Sequence, residues 1–302
     1  MIENHINKTQ EKKVKEIKLL KPKIDIVFQS LFNQKNENIT KSFAEALIGE
    51  KINSIVINDT KELSREYPED KLGILDLELD INNKEKIDVE VQLLKNDAFI
   101  NRLLFYWSKI YSKQIKRGNK YRNAKRVVII AIVDFEINLT KELRKMESIW
   151  NLREKESPEK VLTDLIEIHI INLKRVKEEY LRDKDNIKNQ WIMFLDDPNS
   201  EEVKEIMEKN EDVKKAVVTV RKMSEDEKME KLAELRLKAI MDEEAIYDTG
   251  VNDGIEKGIK KGKNAKTVEI AKKLLDKNMS IEEIIDITGI TKEEIEDIKN
   301  KK

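Results

Sequence analysis

The chain has 302 residues, 39% charged, 39% apolar and only 5% aromatic, and its 59 basic and 60 acidic side chains leave a net charge of −1. So even a balance excludes nucleic-acid recognition by overall charge and leaves it to local clusters. There is no cysteine, which excludes a disulfide framework and a thiolate metal site, and no apolar run reaches membrane-spanning length or resembles a signal segment, so the reading is a soluble cytoplasmic protein.

Residues 1–20 are polar and lysine-rich and read as a mobile basic arm. Ile24, Val27, Phe28, Leu31 and Phe32 then fall at helical spacing. Asp25 stands at the start of that pattern, where an acid favours the helix N-terminus. A second helix is expected from Thr40 to Ile48, closed by Gly49. Ile52 to Ile57 and the region around Tyr67 read as strand or connecting segments.

The most patterned stretch runs from Gly73 to Leu94. Leu75, Leu77, Leu79 and Ile81 share one parity, and Asp76, Glu78 and Asp80 the other. The same alternation returns with Ile87, Val89, Val91 and Leu93 against Asp88, Glu90 and Gln92. Period-two alternation predicts two half-buried strands, and Asn82-Asn83-Lys84 predicts a hairpin turn between them. A loop centred on Asn83 keeps both apolar sets on one side of the sheet. It sets Asp80 opposite Lys86, Glu78 opposite Asp88 and Asp76 opposite Glu90. Facing like charges destabilise a sheet. A solvated acidic face is one way to bear them; a shared divalent cation is another.

From Ala98 to Val133 there is no acid, while nine cations occur in the same 36 residues. Residues 97–117 read as a helix closed by Gly118. Its buried stripe is predicted to be Ile100, Leu103, Leu104, Trp107, Ile110, Tyr111 and Ile115. Arg102, Tyr106, Lys109, Lys113 and Lys116 cluster on the other side as a phosphate track, with Tyr106 the functional aromatic. Val127 to Val133 is a continuous β-branched run, expected to be a strand buried on both faces. Ile166 to Leu173 is a further strand, with His169 a core histidine without a catalytic role. Residues 187–195 read as a short amphipathic helix.

From Asn199 the chain becomes charged and helical, with few aromatics. Gly250, Gly254, Gly258 and Gly262 recur every fourth residue. Each glycine costs a helix about 1 kcal/mol relative to alanine. The stripe therefore signals either a close helix–helix contact or a segment that orders only with a partner. Residues 280–299 read as two short helices with capping boxes at Ser280/Glu283 and Thr291/Glu294. The acids of the second helix argue against DNA reading and for packing or protein contact.

Asp76 followed by Glu90-Val91-Gln92 resembles the PD-(D/E)XK nuclease pattern, with glutamine in place of the usual lysine. Further matches run from residue 20 to 300: Asp25-Ile-Val-Phe, Leu31-Phe32, Arg102, Tyr106, Tyr111, Gly118, Tyr121, Ile168-His-Ile-Ile-Asn-Leu, Trp191-Ile-Met-Phe and the glycine-punctuated tail. More narrowly, the chain resembles the PD-(D/E)XK transposases, or recombination-promoting nucleases. The resemblance implies an α/β (α+β) restriction-endonuclease-like fold, with a mixed sheet core flanked by helices and a helical C-terminal region. It divides the chain into the arm at 1–20, a nuclease domain at 21–198 and a helical tail at 199–302.

The implied activity is metal-dependent cleavage of DNA without strong sequence preference. Asp76, Glu90 and the Val91 carbonyl would hold Mg²⁺ or Mn²⁺, and Gln92 would complete the catalytic set, with Asp25 as auxiliary. Gln92 can hydrogen-bond but carries no charge; Lys71 and Lys95 are the candidates to supply it, and the sequence places neither. The competing reading keeps the nuclease fold without catalysis, as a DNA-binding or partner-binding module. In either case the tail is expected to mediate homo-oligomerisation.

Overall fold

The computed structural model describes residues 17–58, 76–96, 98–118 and 120–300. Two compact units are present, residues 1–240 and 241–302.

In the first unit, helices α1 (Asp25–Leu31) and α2 (Glu37–Ile48) precede a six-stranded mixed sheet. Gly49, at φ 75°, closes α2 in the left-handed region, where a residue without Cβ is unstrained. The strands are β1 (Ile55–Asn58), β2 (Leu77–Ile81), β3 (Glu85–Gln92), β4 (Arg126–Val133), β5 (Glu147–Arg153) and β6 (Val161–Asn172). Their order across the sheet is β1-β2-β3-β4-β6-β5. The expected segment around Tyr67 and the start of the first hairpin strand lie outside the described residues.

β2 and β3 form the predicted hairpin in the predicted register, with Glu78 opposite Asp88 and Asp80 opposite Lys86. Asn82 and Asn83, the central residues of the turn that the Lys84 N–H closes on the Ile81 carbonyl at 3.0 Å, both take positive φ, 50° and 53°, as a turn of the primed kind requires. Asn82 also ties the turn to the chain before β1, its Oδ1 accepting from the backbone N–H groups of Asn53 and Ser54 at 2.8 and 3.2 Å.

β3 and β4 run parallel, joined by α3 (Phe99–Lys113), and the short helices α4 (Asn138–Lys141) and α5 (Val176–Arg182) follow β4 and β6. β4 is buried almost throughout and lies between two parallel neighbours, so its unbroken apolar run serves both faces. One face packs Leu79, Val89, Ile130 and Ile132 against α1, α2 and the later helices α6 (Ile187–Asp196), α7 (Glu201–Lys209) and α8 (Glu211–Ser224). The scarce aromatics concentrate there: Phe32 stacks on Phe43 at 4.2 Å and Trp191 lies 5.5 Å from Phe43. Truncating one ring of such a cluster costs about 3–5 kcal/mol. The other face packs Val127, Ile129, Ala131 and Val133 against α3.

Several expectations change. α3 ends at Lys113 rather than at Gly118, which lies beyond it at φ 88°. Its buried stripe is Phe99, Leu103, Tyr106 and Ile110. Leu104, expected inside, is 44% exposed, and Tyr106, expected on the polar side, is buried. The stripe is rotated so that Tyr106 packs in one cluster with Val127, Ile129, Ala131 and Val133 of the sheet. Residues 187–195 are central, with Trp191 to Leu195 all buried. Val203, Ile206, Val213, Ala216, Val217 and Val220, which follow the compositional change at Asn199, belong to the main core. β5 had no clear sequence signal, since its burial is irregular and its pairing with β6 is bulged.

The second unit contains α10 (Ile281–Thr288), α11 (Lys292–Asn300) and the later part of α9 (Glu227–Asp276), around a small core of Ala271, Ile284, Ile295 and Ile298. The Ser280/Glu283 capping box forms, and Thr291 and Glu294 bond reciprocally. The glycine-bearing segment is helical.

Candidate active site

Strand alternation sends the acidic residues of β2 and β3 to the face that α3 covers, because Asp88 and Glu90 stand beside Ile129 and Ala131 of β4. Asp76 immediately precedes β2. Its backbone N–H donates to Glu90 Oε1 at 3.3 Å, and its Oδ2 accepts from the Val91 N–H at 2.9 Å. The two carboxylates are thus fixed beside each other by the main-chain N–H groups of Asp76 and Val91. Gln92 Nε2 donates to Glu90 Oε2 at 3.4 Å. The Gln92 carbonyl accepts from Asp134 N–H on the β4 side. Alternation along the strand therefore turns the Val91 N–H and carbonyl towards the Asp76 side.

Charge is distributed unevenly along this face. Near the turn, Lys86 and Lys125 each reach Asp80 at 2.8 Å, and Lys86 lies 3.5 Å from Glu78. Towards Asp76 that neutralisation stops. Asp88 is fully buried and neither of its carboxylate oxygens has a hydrogen-bond partner among the described residues. Burial, reinforced by Asp76 and Glu78, drives its carboxyl well above the usual range. Burial first, then Asp88 and Asp76, does the same to Glu90, with Arg102 pulling the other way. These oxygens suit a hard cation: carboxylates and a carbonyl, with no soft donor. Among the described residues no group of three or more His, Cys, Asp or Glu side chains is arranged to hold a metal. The protein's share would therefore be Asp76, Glu90 and the Val91 carbonyl, which fits Mg²⁺ or Mn²⁺ with water completing its shell.

A family model described as PD-(D/E)XK nuclease family transposase matches residues 22–250. The chain belongs to this family. As a PD-(D/E)XK family member it has the restriction-endonuclease-like α/β fold and a nuclease-like function, and nucleases of this kind are generally divalent-metal dependent. Neither the curated proteins nor the solved structures return a match. No helix among the described residues is long and apolar enough to cross a membrane.

Within this PD-(D/E)XK frame, the other expected residues separate. Asp25 begins α1, accepts from the Ile26 N–H at 2.8 Å and pairs with Arg236 at 2.6 Å, contacts of a helix N-terminal acid. One turn further, Gln29 Nε2 reaches Asp76 Oδ1 at 3.4 Å. The Asp25–Gln29 spacing on one helix face was the only sequence sign of it. Arg102 is half-buried, its guanidinium carbon 5.8 Å from the Tyr106 ring centre. Its Nε is buried without a hydrogen-bond partner among the described residues. Tyr106 is held above its ordinary value by burial and then by Glu90, which puts the phenol beside the carboxylates. Lys113 and Lys116 line a cavity of about 290 Å³ with Asn58, Glu78 and Lys86, and Lys109 lies 5.8 Å from the Phe105 ring centre. Lys95 is exposed and Lys71 lies outside the described residues. His169 is buried, with Nδ1 2.8 Å from Glu147 and Nε2 2.9 Å from Glu167, so both ring nitrogens are engaged away from this site.

Proposed function

We propose that this protein is a divalent-metal-dependent DNA endonuclease whose site is Asp76, Glu90, the Val91 carbonyl and Gln92. The observation that carries the reading is that main-chain N–H groups hold the Asp76 and Glu90 carboxylates side by side, next to Asp88, whose buried oxygens have no hydrogen-bond partner among the described residues. A bound Mg²⁺ or Mn²⁺ supplies acidification of a water and charge compensation at the scissile phosphate. Gln92 holds Glu90 through its amide and orients the attacking water by hydrogen bonding. The positive charge that glutamine lacks comes from Arg102, which offsets Glu90. Lys109 and Lys113 of α3, with Lys116 just beyond its end, continue the cationic surface and bind the DNA backbone, independently of sequence.

The test is nicking of supercoiled plasmid in Mg²⁺ or Mn²⁺. Wild type cleaves, while Asp76→Asn and Glu90→Gln lose at least about 10²-fold and no longer take up Mn²⁺ by calorimetry. Equal cleavage by all three would remove the assignment. Gln92 also supports a second reading, a DNA-binding module without catalysis. That reading requires wild type to bind DNA yet leave it intact at every metal concentration.

A further inference from the structure

The cavity beside the carboxylates carries groups that cleavage alone does not require. Its mouth holds Lys113, the last residue of α3, and Lys116, both exposed and neither in an ion pair among the described residues. Gln114 lies between them and bonds the main chain of Lys125 at both ends, at 2.8 and 3.3 Å, which ties this rim to the residue before β4. The floor is Glu78, a buried carboxylate whose Oε1 accepts from Asn58 Nδ2 at 3.1 Å and lies 3.5 Å from Lys86 Nζ. Both contacts use Oε1, and Oε2 has no hydrogen bond among the described residues. Ile110 supplies an apolar wall. The cavity is therefore cationic at its mouth, apolar on one side and an acceptor at its floor. A nucleotide has its parts in the same order: a phosphate, an apolar ring face and, in cytosine or adenine, an exocyclic amine at the far edge. Carboxylates accept from the cytosine amine in this way. A bare phosphate would leave Ile110 unused and be repelled by Glu78. At about 290 Å³ the cavity takes one base and not a base pair.

We propose that this cavity receives one unpaired nucleotide of the DNA strand beside the scissile phosphate, with Lys113 and Lys116 on its phosphate and Glu78 on the base amine. The proposal rests on the reading of this face as the one that binds DNA. Glu78 stands two residues beyond Asp76 on the same side of the sheet, about 7 Å along it at the rise of a strand. Stacked duplex DNA advances only about 3.4 Å per nucleotide, so a base must leave the stack to reach the floor of the cavity. Leaving costs least where the base has no partner. The protein should therefore bind best at gaps, mismatches, frayed ends and single strands, and should favour an amine-bearing base over thymine at this one position.

The test reads affinity and needs no cleavage. The full chain, with Ca²⁺ in place of Mg²⁺, is titrated against a labelled duplex and against the same duplex carrying one unpaired cytosine, one unpaired thymine or one abasic nucleotide. The unpaired cytosine should tighten binding at least about ten-fold over the paired duplex, and thymine should bind about five-fold more weakly than cytosine. The abasic nucleotide should bind like the paired duplex. Glu78→Gln, whose amide offers a donor beside its acceptor, should bring cytosine and thymine within about two-fold of each other. Asn58→Phe, on the half-buried edge strand, should fill the cavity and remove the gain for either unpaired base, with circular dichroism confirming the fold. Equal affinity for the paired duplex and the unpaired cytosine would overturn the proposal. So would an abasic nucleotide that binds as tightly as cytosine, which reports flexible DNA alone, or a cytosine preference that survives Glu78→Gln. The nuclease reading fails separately, on plasmid left intact in Mg²⁺ and Mn²⁺, and that result leaves these affinities as they are.

Discussion

Asp88 is the residue whose environment departs furthest from the ordinary. It is a carboxylate with no exposure, no hydrogen bond among the described residues and like-charged neighbours. Its carboxyl is held above the usual 3.8 by burial first, so the native state keeps a proton that the unfolded chain has already released. Stability from this source is full below the unfolded value and is lost as pH rises through the native one. In EDTA, the melting temperature should therefore fall between mildly acid and neutral pH. Asp88→Asn should flatten that slope and gain about 1 kcal/mol at neutral pH, or about 2–4 °C for a unit of this size. Arg102 makes the opposite contribution, a half-buried cation beside buried acids. Arg102→Ala should lower cleavage by about 10²–10³-fold, as loss of a single donor to transition-state charge does. Mn²⁺ uptake should persist, because Arg102 supplies no ligand oxygen; loss of uptake as well would assign it to assembly of the site.

At the scale of elements, the β2–β3 hairpin decides where the carboxylates stand, and its turn decides the register. Asn82 sits in the left-handed region and accepts two backbone N–H groups from the segment before β1. Asn82→Ala should cost about 2–3 kcal/mol through the lost bonds and the strained backbone, read as a lower melting temperature. Asn82→Gly should cost less, since glycine relieves the strain, and Asn83→Gly should stay within about 0.5 kcal/mol. The hairpin was legible because period-two alternation and turn residues are local signals. The face of α3 was not. Its own pattern pointed to a stripe through Leu104 and Trp107, and packing on β4 instead buried Phe99, Leu103, Tyr106 and Ile110.

For the molecule as a whole, the boundary between units falls at Ile240, although the composition shifts near Asn199. A chain ended after residue 198 would uncover the core that Val203, Ile206, Val213 and Val217 close, and should not melt cooperatively. A chain ended after residue 240 should retain a cooperative melt and, on the proposed function, its cleavage of plasmid.

By itself the sequence determined the hairpin and its register, the doubly buried β4, the capped helices at the end and the family resemblance. Each of these is written in neighbouring residues or in a local period. Only the tertiary structure decided that the Asp76 N–H bonds Glu90 while the Val91 N–H bonds Asp76, that Gln29 and Arg102 approach them, and that Asp25 belongs to Arg236 instead. These contacts join residues distant in the chain. Their geometry follows from how α1 and α3 settle on the sheet, a packing outcome that no local pattern encodes.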